Sequence, residues 1–169
     1  MKKAGLIALS VMIAGIAFAN TLYVPFFTDS ETAALLANNT ARSTKTFVSL
    51  KNVSAVTQTI WLDYRDPTNA NVSPAANTFL LPAGAQVSWR PVLGTYVGSG
   101  EGTLGSPSGV SIPNMTSGTN GSLTVAFSGA GDDPGAVVGR VQGSSKEPGL
   151  SNIVGRDSYG LGLGSAHAN

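Results

Sequence analysis

The chain has 169 residues, 10 basic and 9 acidic, with 11% charged and 42% hydrophobic residues. A charged share far below the ~25% of ordinary domains excludes a disordered polyelectrolyte, and a net charge of +1 excludes the dense basic field of a dedicated nucleic-acid binder. One histidine and no cysteine exclude most zinc, haem and iron–sulfur sites and every cysteine–histidine catalytic pair.

Met1-Lys2-Lys3 is a short basic segment, Gly5 to Ala17 an uncharged apolar run, and Ala17-Phe18-Ala19 a small-x-small site. Those three parts make residues 1–19 a secretory signal peptide, cut before Asn20. The apolar run falls short of the ~20 residues that span hydrocarbon, which sets aside an uncleaved anchor helix. A type IV pilin leader cut after Gly5 is set aside because the early acidic residue of a pilin helix is missing. Cleavage takes Lys2 and Lys3 from the 10 basic residues, so residues 20–169 carry 8 basic and 9 acidic groups, a formal charge of −1. With no cysteine to carry a lipid, no membrane anchor is expected after cleavage. The expected localisation is export, to the periplasm, the cell surface or the medium.

Thr21–Phe27 alternates with Leu22, Val24 and Phe26 on one face, and Pro25, which cannot donate to a ladder, predicts an edge strand. Ser30–Ala37 (SETAALLA) reads as a short helix, capped by Ser30 and ended by Asn38-Asn39. Thr46–Lys51 and Thr57–Tyr64 read as neighbouring strands joined by the polar turn Asn52–Val56. Asn77–Leu81 and Gln86–Arg90 flank Pro82-Ala83-Gly84 as a hairpin-like pair. Gly94–Ser122 holds 8 Gly, 6 Ser and 4 Thr in 29 residues, with Glu101 its sole charge. It is expected to be a long loop with at most one short strand, about Val110–Ile112. Ser122–Ser128 alternates Leu123, Val125 and Phe127, Gly135–Gln142 follows, and Tyr159, Leu161 and Leu163 are spaced by glycines near the end. About eight short strands with almost no helix predict an all-β fold, a single antiparallel β-sandwich over residues 20–169 of jelly-roll or immunoglobulin-like type.

His167, the single imidazole, sits in a Gly/Ala/Asn tail where a general base cannot be held in place. GTYVGSGEG is glycine-rich, yet no Lys-Ser/Thr pair or helix follows to make a phosphate loop. Asp63 and Asp66 at a strand end, and Asp132-Asp133 in a turn, are read as outer-face and turn chemistry rather than a glycosidase pair. The Asp66–Asn71 and Asp132-Asp133 loops lack EF-hand spacing and are read as Asx turns, not calcium sites. No catalytic, cofactor-binding or metal-ligating residue is assigned, and no cofactor is expected. Asn-x-Ser/Thr sequons at Asn38, Asn52, Asn71, Asn114 and Asn120 are what this composition produces by chance. Tyr23, Trp61, Tyr64, Trp89 and Tyr96 are the candidates for a sugar-stacking platform. Alternation puts Trp89, with Val87, inside, and Trp61, beside Asp63, on the outer face.

Pro25-Phe26-Phe27, Phe47–Asn52, Tyr64-Arg65-Asp66, Asn77–Pro82 and Ser88–Pro91 follow one another in a set order and spacing. Over about residues 21–92 this run resembles uncharacterised exported bacterial β-sandwich domains. The resemblance implies the sandwich and export, and brings no activity or site residue. The leading expectation is a secreted, non-enzymatic structural or adhesive protein of the cell envelope or extracellular matrix; the N-terminal edge strand 21–27 is expected to close its own sandwich, with donation to a neighbouring copy the route by which the protein would self-associate. The alternative is a carbohydrate- or ligand-binding sandwich module with polysaccharide as partner. A periplasmic accessory protein and an enzyme with a carboxylate site follow, and nucleic acid is not an expected partner.

Overall fold

A strand whose every second side chain is apolar can bury one face only, and two such sheets satisfy each other by packing face to face. A computed structural model of the chain describes residues 20–30, 43–92, 103–104, 112–128, 133–146, 153–161 and 163–164. The strands are β1 (Asn20–Thr28), β2 (Ser43–Asn52), β3 (Gln58–Arg65), β4 (Thr78–Leu81), β5 (Gln86–Trp89), β6 (Thr103–Leu104), β7 (Asn120–Ser128), β8 (Val137–Lys146), β9 (Ile153–Leu161) and β10 (Leu163–Gly164). They form two sheets, here A and B, with the orders β10-β1-β7-β3-β4 and β6-β5-β2-β8-β9. Every ladder is antiparallel. Since β6 and β10 are only two residues long, each sheet has four full strands. The protein is the all-β antiparallel sandwich that its alternation predicts. β1, β2 and β3 change sheet at each step, whereas β4 stays beside β3, β6 beside β5 and β9 beside β8.

Burial follows the period of two. Ile60, Leu62 and Tyr64 of β3, Leu123, Val125 and Phe127 of β7, and Val87 and Trp89 of β5 are buried and belong to one apolar cluster. Two expected hairpins are instead arches between the sheets: β2 is in sheet B and β3 in sheet A, and β4 is in sheet A and β5 in sheet B. A hairpin and an arch share the same local signature, strand–turn–strand, and only the ladder partner tells them apart. Here a single side chain ties both arches. Asn52 is fully buried, and its amide donates to the carbonyls of Val56, Leu81 and Pro82 at 2.7, 2.9 and 3.1 Å. Its Oδ1 accepts from the Ser54 N–H and hydroxyl at 3.0 and 2.7 Å.

The first strand also departs from expectation. Val24 pairs with Leu123 and Phe27 with Gly121, so β1 carries one residue more than β7 between those pairs. This bulge holds Pro25 and Phe26 and shifts the inward face by one residue beyond it. Leu22, Val24 and Phe27 are buried, whereas Phe26, expected on that face, is 57% exposed. The strand is an edge only in part: β7 lies along one side, and β10 pairs with Thr21 and Leu22 on the other. Among the described residues nothing pairs with that second side past Leu22.

The Gly/Ser/Thr-rich loop is shorter than expected. β7 starts at Asn120, β6 falls within the expected loop, and Ile112 and Met115 join the core, Met115 through a parallel bridge to Val92. Two apolar residues in a polar stretch were enough to anchor it. Residues 31–37 of the expected helix, and Val110, lie outside the described residues. Ser30 is described, and its N–H donates to the Thr44 carbonyl of β2 at 2.9 Å.

Gly121 sits opposite Phe27 at the bulge. A Cβ there would come within 2.2 Å of the Arg65 carbonyl oxygen and 3.2 Å of the Phe27 ring. Neither the carbonyl that ends β3 nor a buried ring can withdraw cheaply. Gly121→Ala is expected to lower the unfolding free energy by about 1–3 kcal/mol, read by urea melts; an unchanged midpoint would mean that the bulge adjusts freely.

Candidate functional site

The aromatic candidates divide between core and surface. Trp89 and Tyr64 are fully buried: the Trp89 Nε1–H donates to the Tyr64 hydroxyl at 2.9 Å, and that hydroxyl donates to the Pro113 carbonyl at 2.8 Å. The rings pack edge-on, Tyr64 against Phe27 at 6.2 Å and Trp89 against Phe79 at 6.3 Å between centroids. Tyr64 is thus part of a polar seam joining β3, β5 and the segment before β7, and cannot stack on a sugar. Its place was legible, because it shares parity with Ile60 and Leu62. Trp61 and Tyr23 occupy the outer face of sheet A as a reduced platform. Trp61 is half-buried and Tyr23 is 54% exposed. Trp61 faces Ala126 and Tyr23 faces Thr124 on β7, so one strand and one register step separate them. Tyr96 lies outside the described residues.

Burial drives the Tyr64 phenol well above its ordinary value of 10.0, against a smaller opposing effect of the Trp89 hydrogen bond. A group whose folded-state value is raised lends stability that is complete below its unfolded value and is lost as pH climbs above it. Melting temperature should therefore fall as pH rises past 10, and Tyr64→Phe should flatten that alkaline limb. At neutral pH the same substitution strands the Trp89 N–H and the Pro113 carbonyl, at a cost of about 1–3 kcal/mol.

The carboxylates are occupied by their own loops. Asp63 stands on the outer face beside Trp61, where its Oδ2 accepts from Arg65 Nε at 3.0 Å and its Oδ1 from the Ser73 hydroxyl at 3.3 Å. Asp66 Oδ1 accepts from the Thr68 N–H and hydroxyl at 2.8 and 2.7 Å and from the Ala70 N–H at 2.9 Å. Asn69 takes φ +66 to close this turn, a conformation asparagine tolerates. Asp133 Oδ1 accepts from the Gly135 N–H at 2.8 Å; Asp132 and His167 lie outside the described residues. Among the described residues no three acidic, histidine or cysteine side chains gather as a metal set. The Thr68 hydroxyl first, then the Ala70 N–H, hold the Asp66 carboxyl below its ordinary value of 3.8. That turn is stabilised above the unfolded value and loosens as pH falls through the lower folded one. A carboxyl-carbon NMR titration should place the Asp66 midpoint below 3.8, and EDTA should leave both that midpoint and the melting temperature unmoved.

Sequence reasoning missed a buried ion pair. Arg90 Nε and Nη2 donate to the two carboxylate oxygens of Asp29, with side chains only 3% and 2% exposed. The partners are 61 residues apart, so no local signal announces them. A shallow cleft of about 500 Å³ opens beside Pro74, Thr78, Pro113 and Thr116. The Oδ1 of Asn114, also on its wall, is buried without a hydrogen-bond partner.

Fold and surfaces together define an antiparallel β-sandwich with polar interior ties and two unlike outer faces. No protein-family model and no curated protein matches the chain. Among solved structures, the crystal structure of Thermotoga maritima 1070 is similar, with a TM-score of 0.50 and 10% identity over 87% of this chain and 96% of that one. At that identity the likeness concerns the fold alone.

Proposed function

We propose that this is an exported, non-enzymatic structural or adhesive protein of the cell envelope or extracellular matrix, which associates with further copies of itself along the side of β1 that, among the described residues, carries no strand past Leu22. The observation that carries the reading is the form of that edge. An exposed strand edge offers unpaired N–H and C=O groups to another chain, and proteins blunt it with proline, bulges or charge. This edge has the proline and the bulge, yet where a charge would repel a partner it projects Phe26, 57% exposed, with Tyr23, 54% exposed, nearby on the strand. Strand-to-strand addition draws affinity from the backbone ladder and selectivity from such side chains. Export rests on the signal pattern of residues 1–19.

Deleting residues 20–27 would strip Leu22, Val24 and Phe27 from the core, at roughly 1.5–3 kcal/mol each, and so confounds folding with assembly. A point change is cleaner. Exported protein should have an intact mass beginning at Asn20 and should elute as concentration-dependent oligomers by light scattering. Phe26→Lys should keep the melting temperature and return the protein to monomer. A wild-type chain that is monomeric at every concentration would overturn the assembly, and a retained Met1 would overturn the export.

A further inference from the structure

We propose that the outer face of sheet B is a binding surface for an acidic polysaccharide, one whose repeating sugars carry carboxylate or sulfate groups. The first ground is the placement of positive charge. Among the cations whose side chains are described, Arg65, Arg90 and Lys45 have partners, the first two in Asp63 and Asp29, and Lys51 and Arg140 stand at outward positions of β2 and β8, beside the buried Leu50 and Val141. Among the described side chains, no outward position of β2, β5 or β8 is acidic. Like charges on one sheet face repel one another unless an anion covers them.

The second ground is a groove of about 300 Å³ among β5, β2 and β8, bordered by Ser49, Lys51, Gln86, Ser88, Val138 and Arg140. Lys51 pairs across the ladder with Val138 and Arg140 with Ser49, so the two cations are diagonal neighbours, about 7 Å apart at Cβ. Lys51, Gln86 and Arg140 are exposed. Ser49 donates to Ser88 at 2.9 Å, and Arg140 Nη2 donates to Ser158 at 2.8 Å, which holds the guanidinium over the face with its remaining N–H groups available to a ligand. Cations for the acid groups, with hydroxyls and an amide between them for sugar hydroxyls, are the donor and acceptor set an acidic glycan needs. A protein partner would want an exposed apolar centre, and of the apolar side chains lining this groove Leu50 and Val87 are buried and only Val138 is exposed, at 48%. A nucleic acid would want stacking rings, and the one ring at an outward position of β2, that of Phe47, lies 5.9 Å beneath the Lys45 ammonium.

The site is on the opposite sheet from the β1 edge, so it stands whether or not the chain assembles. The test is affinity electrophoresis of the full exported protein through gels containing polygalacturonate, dextran sulfate or neutral dextran, with the Phe26→Lys monomer run in parallel. Retardation is expected in the two acidic polymers, not in neutral dextran, and should weaken as salt is raised. Retardation by one acidic polymer and not the other assigns the acid group. Lys51→Glu with Arg140→Glu should weaken it by about tenfold or more. The milder pair Lys51→Gln with Arg140→Gln should weaken it less, at an unchanged melting temperature, while Phe26→Lys leaves it intact. Equal retardation of the charge-reversed protein, equal retardation in neutral dextran, or tighter binding of a single-stranded oligonucleotide would each overturn the proposal.

Discussion

The buried pairing of Arg90 with Asp29 is the constraint on which the rest of this sandwich depends. Two full charges removed from water are costly, and their attraction offsets that cost only while the guanidinium fork and the carboxylate keep their geometry. Asp29 follows β1 in sheet A and Arg90 follows β5 in sheet B, so the pair locks the two sheets together at one corner. The backbone there obeys the same demand: the Asp29 N–H donates to the Thr119 carbonyl at 2.6 Å, and the Thr28 N–H donates to the Thr46 hydroxyl at 3.2 Å. Thr46 returns its own hydroxyl proton to the Thr28 carbonyl at 3.0 Å. β1, β2, β5 and the approach to β7 therefore meet at a single point. Removing either charged partner from such a site would leave the other buried alone, a loss of about 3–5 kcal/mol.

Two further polar groups divide the interior into regions that cannot slide. Apolar packing alone tolerates many arrangements of similar volume, whereas a buried donor must find its own acceptor. Asn52 does this at the arches, and Tyr64 does it at mid-core by joining Trp89 to the Pro113 carbonyl. Between them and the ion pair, both sheets and the tail of the Gly/Ser/Thr-rich segment are held in one register without a single disulfide.

A rigid interior leaves recognition to the outer faces, and these differ in chemistry. Sheet A presents aromatic and apolar groups, with Tyr23, Phe26 and Leu80 all more than half exposed. Sheet B presents lysine, arginine, serine and glutamine side chains.

Period-two alternation by itself determined the strands, the all-β class and the inward position of Trp89, because the pleat of a strand puts alternate residues on opposite faces whatever its neighbours are. The turn chemistry of Asp66 and Asp133 was legible for a similar reason: the groups that satisfy each carboxylate lie within four residues of it. Only the tertiary structure decided which strands pair. An arch and a hairpin look alike locally, so β2–β3 and β4–β5 read as partners although each pair is split between sheets. It also decided the face of Phe26, since a bulge depends on the register with β7, and it joined Asp29 to Arg90 across 61 residues. The nearness of Lys51 and Arg140 on sheet B was hidden as well. It required β2 and β8 to lie side by side, and adjacency between distant strands is set by the burial of their shared inner face, not by anything either segment carries alone.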